Sequence, residues 1–467
     1  VGFAGGFFTA IIFILLSLVD FGLTFIGPFL FLYGAVNLSS GLALKFHKRF
    51  STLSKRFIGD IAILASKSVF RNPRRAAATV FLVALIAGYS IWVIGDLASM
   101  QDYTVRQSLA RVGGDLRISN LPSFSNATSI ANQLSNWGNV SAVTPELSTS
   151  LSSASQSQIS VRAVDPMTWT SAAYYEDGWF SANPNRLFDV MKGDSSGIIL
   201  EKGLATYYNI AEGANVTIVS SAGRVNLHVI GFLGPDYANS NSQFITPLGG
   251  VSFFSRGWSY ISLVFVTLHS DLFSSGSGYS VIVKTKNTTP DQLGNSVQAL
   301  YPYATVDSGA AGPSQGGVSS IFSGLLNVLR LGVVFAAAVA GIGVAAVTYT
   351  GFKEREKETT MVAVRGFSYR QLLGLLVTEV LPLVVFALIL AGIVGLITVR
   401  GDTLALDQIS SGQDFYSLLV RRRIVFPMTE QLILGTIIGL LLGGVFLPAL
   451  LSARKDLSKM SRTVRFA

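Results

Sequence analysis

Residues 372–398, LLGLLVTEVLPLVVFALILAGIVGLIT, hold a single charged side chain, Glu379. A hydrocarbon core about 30 Å thick is crossed by roughly 20 apolar residues of helix, so this run is long enough to span a bilayer. Five further runs have the same character: 3–19, 22–44, 76–98, 331–351 and 428–452. With 50% hydrophobic and only 13% charged residues, the 467-residue chain is too apolar for an ordinary soluble protein. The expectation is a polytopic α-helical membrane protein with six transmembrane helices. Residues 99–320, rich in Ser, Asn, Gly and Thr, would form a large extracytoplasmic α+β domain between the third and fourth spans.

The net charge of +9 is unevenly distributed. Residues 45–75 carry nine Lys or Arg against one Asp, the tail from Arg454 to Ala467 carries five against Asp456, and residues 352–371 carry five against three Glu. The insert 99–320 instead has 11 basic and 14 acidic residues. By the positive-inside tendency the three basic segments face the cytoplasm and the insert faces outside. That places the chain in the plasma membrane with both termini of this segment cytoplasmic. One loop, 400–427, fits poorly, because Arg421, Arg422 and Arg423 would lie outside; Asp402, Asp407 and Asp414 are available to offset them. Basic residues placed this way indicate contact with membrane lipid and no nucleic-acid partner. There is no cysteine, so disulfides play no part. Val1 opens almost directly on an apolar run without a basic leader, which reads as a piece of a longer chain rather than a signal peptide.

Eight expected segments follow in order. Residues 1–44 form a transmembrane linker hairpin turning near Val19 and Asp20, and 45–73 a cytoplasmic amphipathic helix. In the latter Phe57, Ile58, Ile61, Leu64, Ala65 and Val69 recur at helical spacing, with Asn72-Pro73 starting the next helix. Residues 74–112 form a span and stalk, for no proline interrupts them and the first stop is Gly113-Gly114. A helix of that length reaches about 55–60 Å. Asp102 and Arg106, four apart, support it in water. Residues 113–320 are the extracytoplasmic domain, with strands at NVTIVSS, RVNLHVIGF and SVIVKT and a helix in TPDQLGNSVQALYP. A second long stalk and transmembrane helix covers 321–357, a coupling elbow 358–371, the last two spans with an outer loop 372–453, and a basic tail 454–467.

The stretch FKEREKETTMVAVRGFSYRQ, 352–371, puts eight charged side chains between two spans. Glu354 and Glu358 flank Arg355, Glu356 and Lys357 at the end of one helix, and Arg365 precedes Gly366, which can stop a helix in the left-handed conformation. Ser368 and Gln371 have capping-box spacing, with Phe367 and Leu372 placed as the accompanying staple. Arg370 adds charge to this turn. A sharp, charged, stiff elbow suits docking against another protein.

These residues resemble the FtsX-like permeases of ABC transporters, the group that includes the MacB and LolC/LolE types. The resemblance rests on Glu354-Arg355-Glu356-Lys357-Glu358, on Gly366-Phe367-Ser368-Tyr369-Arg370-Gln371, and on Glu379 followed by Gly392 and Gly395. LPALLSARKDL at the close adds to it, as do GGDLRI, AVDP, IILEKGLATYYNIAEGANVTI and VIVKTKNTTPDQL in the insert. It covers residues 56–467, with Ala363 standing where many relatives are basic. Residues 1–44 are similar to the linker of permeases that contain two such units, which would make this the C-terminal half. The resemblance implies a second permease unit as partner and separate ABC ATPase subunits docking on the elbow. Those subunits would bind the ATP and Mg, and Glu379 would act as an intramembrane support. The chain has no phosphate loop of its own.

Other chemistries are weaker. Gly193-Asp194-Ser195-Ser196-Gly197 matches a nucleophile-elbow pattern in a Gly/Ser-rich loop, and three His without Cys give no zinc spacing. No catalytic residue, metal site or enzyme activity is therefore assigned. Four sequons, at Asn126, Asn139, Asn215 and Asn287, agree with an outside location. The expected function is coupling of ATP hydrolysis by a partner to movement of the outer domain, for export or extraction of a lipid, peptide or other amphiphile. The alternatives are an ATP-driven activator of an extracellular enzyme, and a passive receptor or scaffold.

Overall fold

The computed structural model describes residues 26–58, 61–153, 158–220, 223–235, 257–269, 278–309, 318–354, 361, 368–410 and 415–463. The chain divides into two compact units, one of Val1–Met100, Phe322–Ala405 and Arg423–Ala467, the other of Gln101–Ile321 and Leu406–Arg422.

In the first unit α1 (Ile26–Ser40) is followed after a 50° bend by α2 (Ala43–Ile58). Then come α3 (Ile61–Arg71) and α4 (Pro73–Val112), whose later residues belong to the second unit. Among the described residues four helical stretches are long and apolar enough to cross a membrane: Pro73–Val112, Arg330–Glu354, Leu373–Asp407 and Met428–Ser452. The bent pair makes a fifth if it counts as one span. The chain is thus a membrane protein with four or five such helices rather than a demonstrated six; the expected span at 3–19 lies outside the described residues. Of the expected amphipathic helix over 45–73, Ala43–Ile58 and Ile61–Arg71 are helical; Ala65 and Val69 are buried, while Leu64, placed on the same face by its spacing, is exposed.

Small residues let these helices meet closely. In a bilayer, lipid tails are as apolar as leucine, so helices hold together through close van der Waals contact rather than a hydrophobic drive. A Cβ at Gly444 would stand 2.5 Å from the Gly341 carbonyl oxygen, and one at Gly395 would stand 3.1 Å from the Gly88 carbonyl oxygen. Ala84 and Ala87 of α4, Ala337 and Val344, Val384 and Ala391, and Leu441 and Val445 fill the shared core. Arg330 donates to Glu430 at 2.7 Å, pairing two charges whose separate burial would be costly.

Among the described residues the second unit has nine strands: β1 (Leu116–Leu121), β2 (Val140–Ser153), β3 (Gln158–Val164), β4 (Gly197–Glu201), β5 (Asn215–Ser220), β6 (Gly223–Leu233), β7 (Ser259–Ser262), β8 (Gly278–Thr285) and β9 (Thr305–Ser308). Their order is β3-β7-β4-β6-β5-β2-β8-β1-β9, and β3 also pairs with β2. Six strands therefore close into a small mixed barrel, with β3/β7 and β4/β6 parallel. Its interior takes apolar residues from all six, among them Leu147, Ile159, Ile198, Ile218, Leu227 and Ile261. The β2-β8-β1-β9 side has α5 (Phe124–Ser135) between β1 and β2 and α10 (Pro290–Leu300) between β8 and β9. That is the βαββαβ order of a ferredoxin-like sheet, with the barrel strands inserted between β2 and β8. Leu134 and Val297 pack from these helices onto Leu116 and Val283. The short helices α6 (Trp169–Ala172), α7 (Pro184–Gly193), α8 (Lys202–Tyr207) and α9 (Leu263–Leu268) complete the mixed α+β domain.

The α4 residues of this unit end where backbone geometry requires it: Gly113 has φ +88° and its N–H donates to the Leu109 carbonyl at 2.7 Å. Arg106 donates to Asp102 at 2.8 Å, the pairing expected from spacing, and also to both Glu176 oxygens at 2.9 and 3.0 Å. A buried charge cluster lies between β1, β2, β3 and β7. Glu146 is fully buried; its Oε1 accepts from Arg117, and Arg162 Nε stands 3.8 Å away. Burial works against the charge on Arg162, yet Glu146, Tyr416 and Tyr260 outweigh it and hold the guanidinium above its ordinary value. Burial pushes the Tyr260 hydroxyl above the usual phenol range, against the pull of Arg162.

The remaining long helices are α11 (Val318–Glu354), α12 (Tyr369–Ser410) and α14 (Met428–Thr463), with the short α13 (Phe415–Leu419) before the last. α12 runs well past residue 398, where the apolar pattern stops. The expected outer loop is thus helical to Ser410, and Leu406–Arg422 groups with the sheet unit rather than with the last two spans.

Candidate coupling site

α12 starts on the capping box. The Ser368 N–H donates to Gln371 Oε1 at 2.9 Å and the Gln371 N–H donates to Ser368 Oγ at 3.4 Å, so each side chain serves the other's backbone. Arg370 is exposed beside them. Arg355, Glu356, Lys357, Glu358, Arg365, Gly366 and Phe367 lie outside the described residues, as does the proposed staple. Replacing Ser368 and Gln371 together by Ala should cost about 1–2 kcal/mol at this helix start. The amides of residues 369–371 should then exchange with deuterium correspondingly faster; unchanged exchange would show that something else fixes the start.

Glu354 closes α11, and its Oε2 accepts from Arg75 Nη1 at 3.3 Å. Arg75, at the start of α4, also donates to the Val347 carbonyl. The pair is exposed enough that it contributes at most about 1 kcal/mol, so its value is positional. A Cβ at Gly351 would overlap the Arg75 guanidinium, which shows how closely the two helices approach here. Nothing singled out Arg75 among the basic residues of 45–75. Its partner Gly351 lies more than 270 positions away in sequence, and only the fold joins them.

Glu379 sits half-buried on α12, three residues before Pro382. A proline removes a backbone donor and leaves the carbonyl four residues back without its usual helical partner. The carbonyl that Pro382 leaves free is that of Thr378; His47 reaches this turn from α2, its Nε2 donating to the adjacent Glu379 carbonyl at 3.2 Å with the Thr378 carbonyl also within its reach. A carbonyl can only accept, so Nε2 carries the proton. His47 is fully buried, and it was missed because a lone histidine in a basic stretch gives no signal. Glu379 is among the residues lining a cavity of about 40 Å³, with Asn72, Arg75, Thr79, Thr348 and Gly351. That is room for one or two waters, and Thr348 Oγ1, buried without a hydrogen-bond partner among the described residues, offers one a site. The structure thus brings Glu354 and Glu379 to the same neighbourhood through Arg75.

The Gly193–Gly197 pattern takes a different form from a nucleophile elbow. It follows the helix α7 and precedes the strand β4, the reverse of strand-turn-helix, and Ser196 Oγ donates to Asp194 at 2.6 Å.

The fold defines a class: a membrane protein with four or five membrane-crossing helices and a large α+β domain. No known family's profile matches the chain, and no curated protein matches it. Among solved structures, the periplasmic region of MacB from Actinobacillus actinomycetemcomitans is similar at 13% identity, covering 42% of this chain and 90% of that chain with a TM-score of 0.27. A superposition that loose assigns neither fold nor function.

Proposed function

We propose that this chain is the permease subunit of an ABC-type complex, in which a separate ATPase docks on the segment 354–371 and drives movement of the sheet unit. The sheet unit would lie outside the cell and the elbow in the cytoplasm, the arrangement that the positive-inside tendency favours. The observation that carries the reading is a pair of uninterrupted helices, Pro73–Val112 and Val318–Glu354, each contributing to both units. Each reaches about 55–60 Å, roughly twice the hydrocarbon thickness. The capping box at Ser368 and Gln371 supports a fixed turn next to the charged run, and the sequence resemblance supplies the ATPase as partner. Such an arrangement converts a push at one helix end into displacement at the other, and its cargo would be an amphiphile drawn from the membrane.

Copurification tests this directly: the chain should bring down a stoichiometric ATPase whose hydrolysis moves the sheet unit. Gly366→Val should leave membrane insertion intact but lower ATP-driven displacement several-fold, because a β-branched residue would resist the left-handed turn expected there from the sequence. Absence of any associated ATPase would overturn the proposal in favour of a passive receptor.

A further inference from the structure

The segment Phe415–Arg422 is packed into the sheet unit like a piece of its core. Phe415 lies on a floor of two glycines, since a Cβ at Gly257 would stand 2.5 Å from its ring and one at Gly234 would stand 2.9 Å away. Trp258 meets the same ring edge-on with centroids 4.9 Å apart. The neighbouring Tyr416 hydroxyl accepts from Arg162 at 2.9 Å, and Arg162 lies 3.8 Å over the Trp258 ring. Leu419 and Val420 are buried with Trp179 and Leu233. Beyond them Arg106 donates to the Arg421 carbonyl at 2.8 Å, while the Arg422 guanidinium lies 4.1 Å over Tyr103 and its N–H donates to Asp407 at 3.0 Å. This accounts for the charge of one of the three arginines that fitted an outer loop poorly, Arg422, and for the backbone of a second, Arg421, whose side chain stays exposed.

We infer that Phe415–Arg422 is a permanent pin through which α12 transmits movement into the sheet unit, a route additional to the two long helices α4 and α11. The inference rests on the proposed function for the source of movement, though the pin itself does not. α12 begins at the capping box beside the charged run and continues to Ser410. At 1.5 Å per residue it spans about 60 Å. A single helix with Pro382 inside it therefore runs from the residues next to the expected docking site to Ser410, close in sequence to the buried aromatic anchor. The second unit is then attached to the membrane helices through four chain crossings: α4, α11, and the two ends of Leu406–Arg422.

Two measurements separate the pin from the reading on which its role depends. In the full chain alone, in lipid nanodiscs, the amides of Val420 and Arg422 should exchange as slowly as those of β6, on the order of 100-fold or more below an unstructured loop. Free-loop exchange would overturn the pin whether or not an ATPase binds. In the complex with its ATPase, four glycines inserted after Thr403 would break α12 while leaving every contact of residues 406–422 in place. Val420 protection should persist, ATP should still be hydrolysed, and nucleotide-driven displacement of a spin label at the exposed Ser129 should fall at least twofold. Displacement equal to that of the unmodified chain would sink the transmission route. If the unmodified complex shows no displacement at all, the proposed function fails, and the exchange measurement still decides the pin.

Discussion

Gly444→Val should break the packing of α11 against α14, whereas Gly443→Val, one position away in the same span, should be tolerated. The two variants add the same side chain to the same apolar helix, so hydrophobicity and helix propensity cancel. The difference is what the new carbon meets. At Gly444 it would stand 2.5 Å from the Gly341 carbonyl oxygen and 3.3 Å from its carbon, both backbone atoms with no rotamer to yield. At Gly443 nothing lies within 4 Å. Relief at Gly444 requires the helices to separate, which loses the contacts of Ala337, Val344, Leu441 and Val445 across the core. Overpacking against side chains costs about 1–3 kcal/mol, and against backbone the upper end or more is expected. In detergent the Gly444 variant should lose its compact elution or melt about 6–12 °C lower, since about 3 kcal/mol shifts a unit of this size by roughly 2–4 °C per kcal/mol. Matched melting of the two variants would mean that this crossing does not hold the bundle.

The parts of this fold that were legible in the sequence are those fixed by neighbours along the chain. Pro73 and Gly113 bound α4 because a first-turn proline and a left-handed glycine act locally, and Ser368 and Gln371 declare a helix start within four residues. Strands β5, β6 and β8 and helix α10 could be read in the same way. Closure of the barrel could not, because it depends on β2 pairing with β3, β5 and β8, strands separated by insertions whose lengths say nothing of register. The end of α12 was misjudged for a related reason. Hydrophobicity stops at 398, where a membrane would end, but the helix continues through Leu406 and Asp407 to Ser410, with Gly401 carried inside it rather than ending it. The burial of Phe415–Arg422 had one faint signal, arginines on the wrong side of the membrane next to Phe415, Tyr416, Leu418 and Leu419. Charge counting records such an anomaly without saying which aromatic surface absorbs it. At the candidate coupling site the capping box was visible, whereas Arg75 and His47 emerged only when helices far apart in sequence were brought together.

Glu146→Ala should unfold the sheet unit at a denaturant or temperature well below that of the unmodified chain. Glu146 is wholly enclosed, with Arg117 and Arg162 converging on Oε1 while Ser148 donates at 3.4 Å. Such a buried ion group adds little net stability when intact, since desolvating three charges roughly offsets their attraction. Removing the single carboxylate is another matter. It leaves two guanidinium groups beside each other without an anion, and arginine does not neutralise by losing its proton. The expected loss is about 3–5 kcal/mol, a large fraction of the roughly 5–15 kcal/mol that holds an ordinary domain folded. Glu146→Gln separates charge from shape, because the amide keeps the volume and can still accept a hydrogen bond but cannot balance the cations. It should lose most of the same stability. Replacing Arg117 by Met in the Glu146→Ala background should recover part of the loss by removing one uncompensated charge, a coupling that a double-mutant cycle measures. The readout is the tryptophan fluorescence transition of the full chain in nanodiscs, to which Trp258, packed against Arg162 at 3.8 Å, should report directly. If Glu146→Ala and Glu146→Gln shift the transition by less than about 1 kcal/mol, then Tyr416, Ser280 and the Trp258 ring carry these cations unaided. The carboxylate would then be dispensable to the fold.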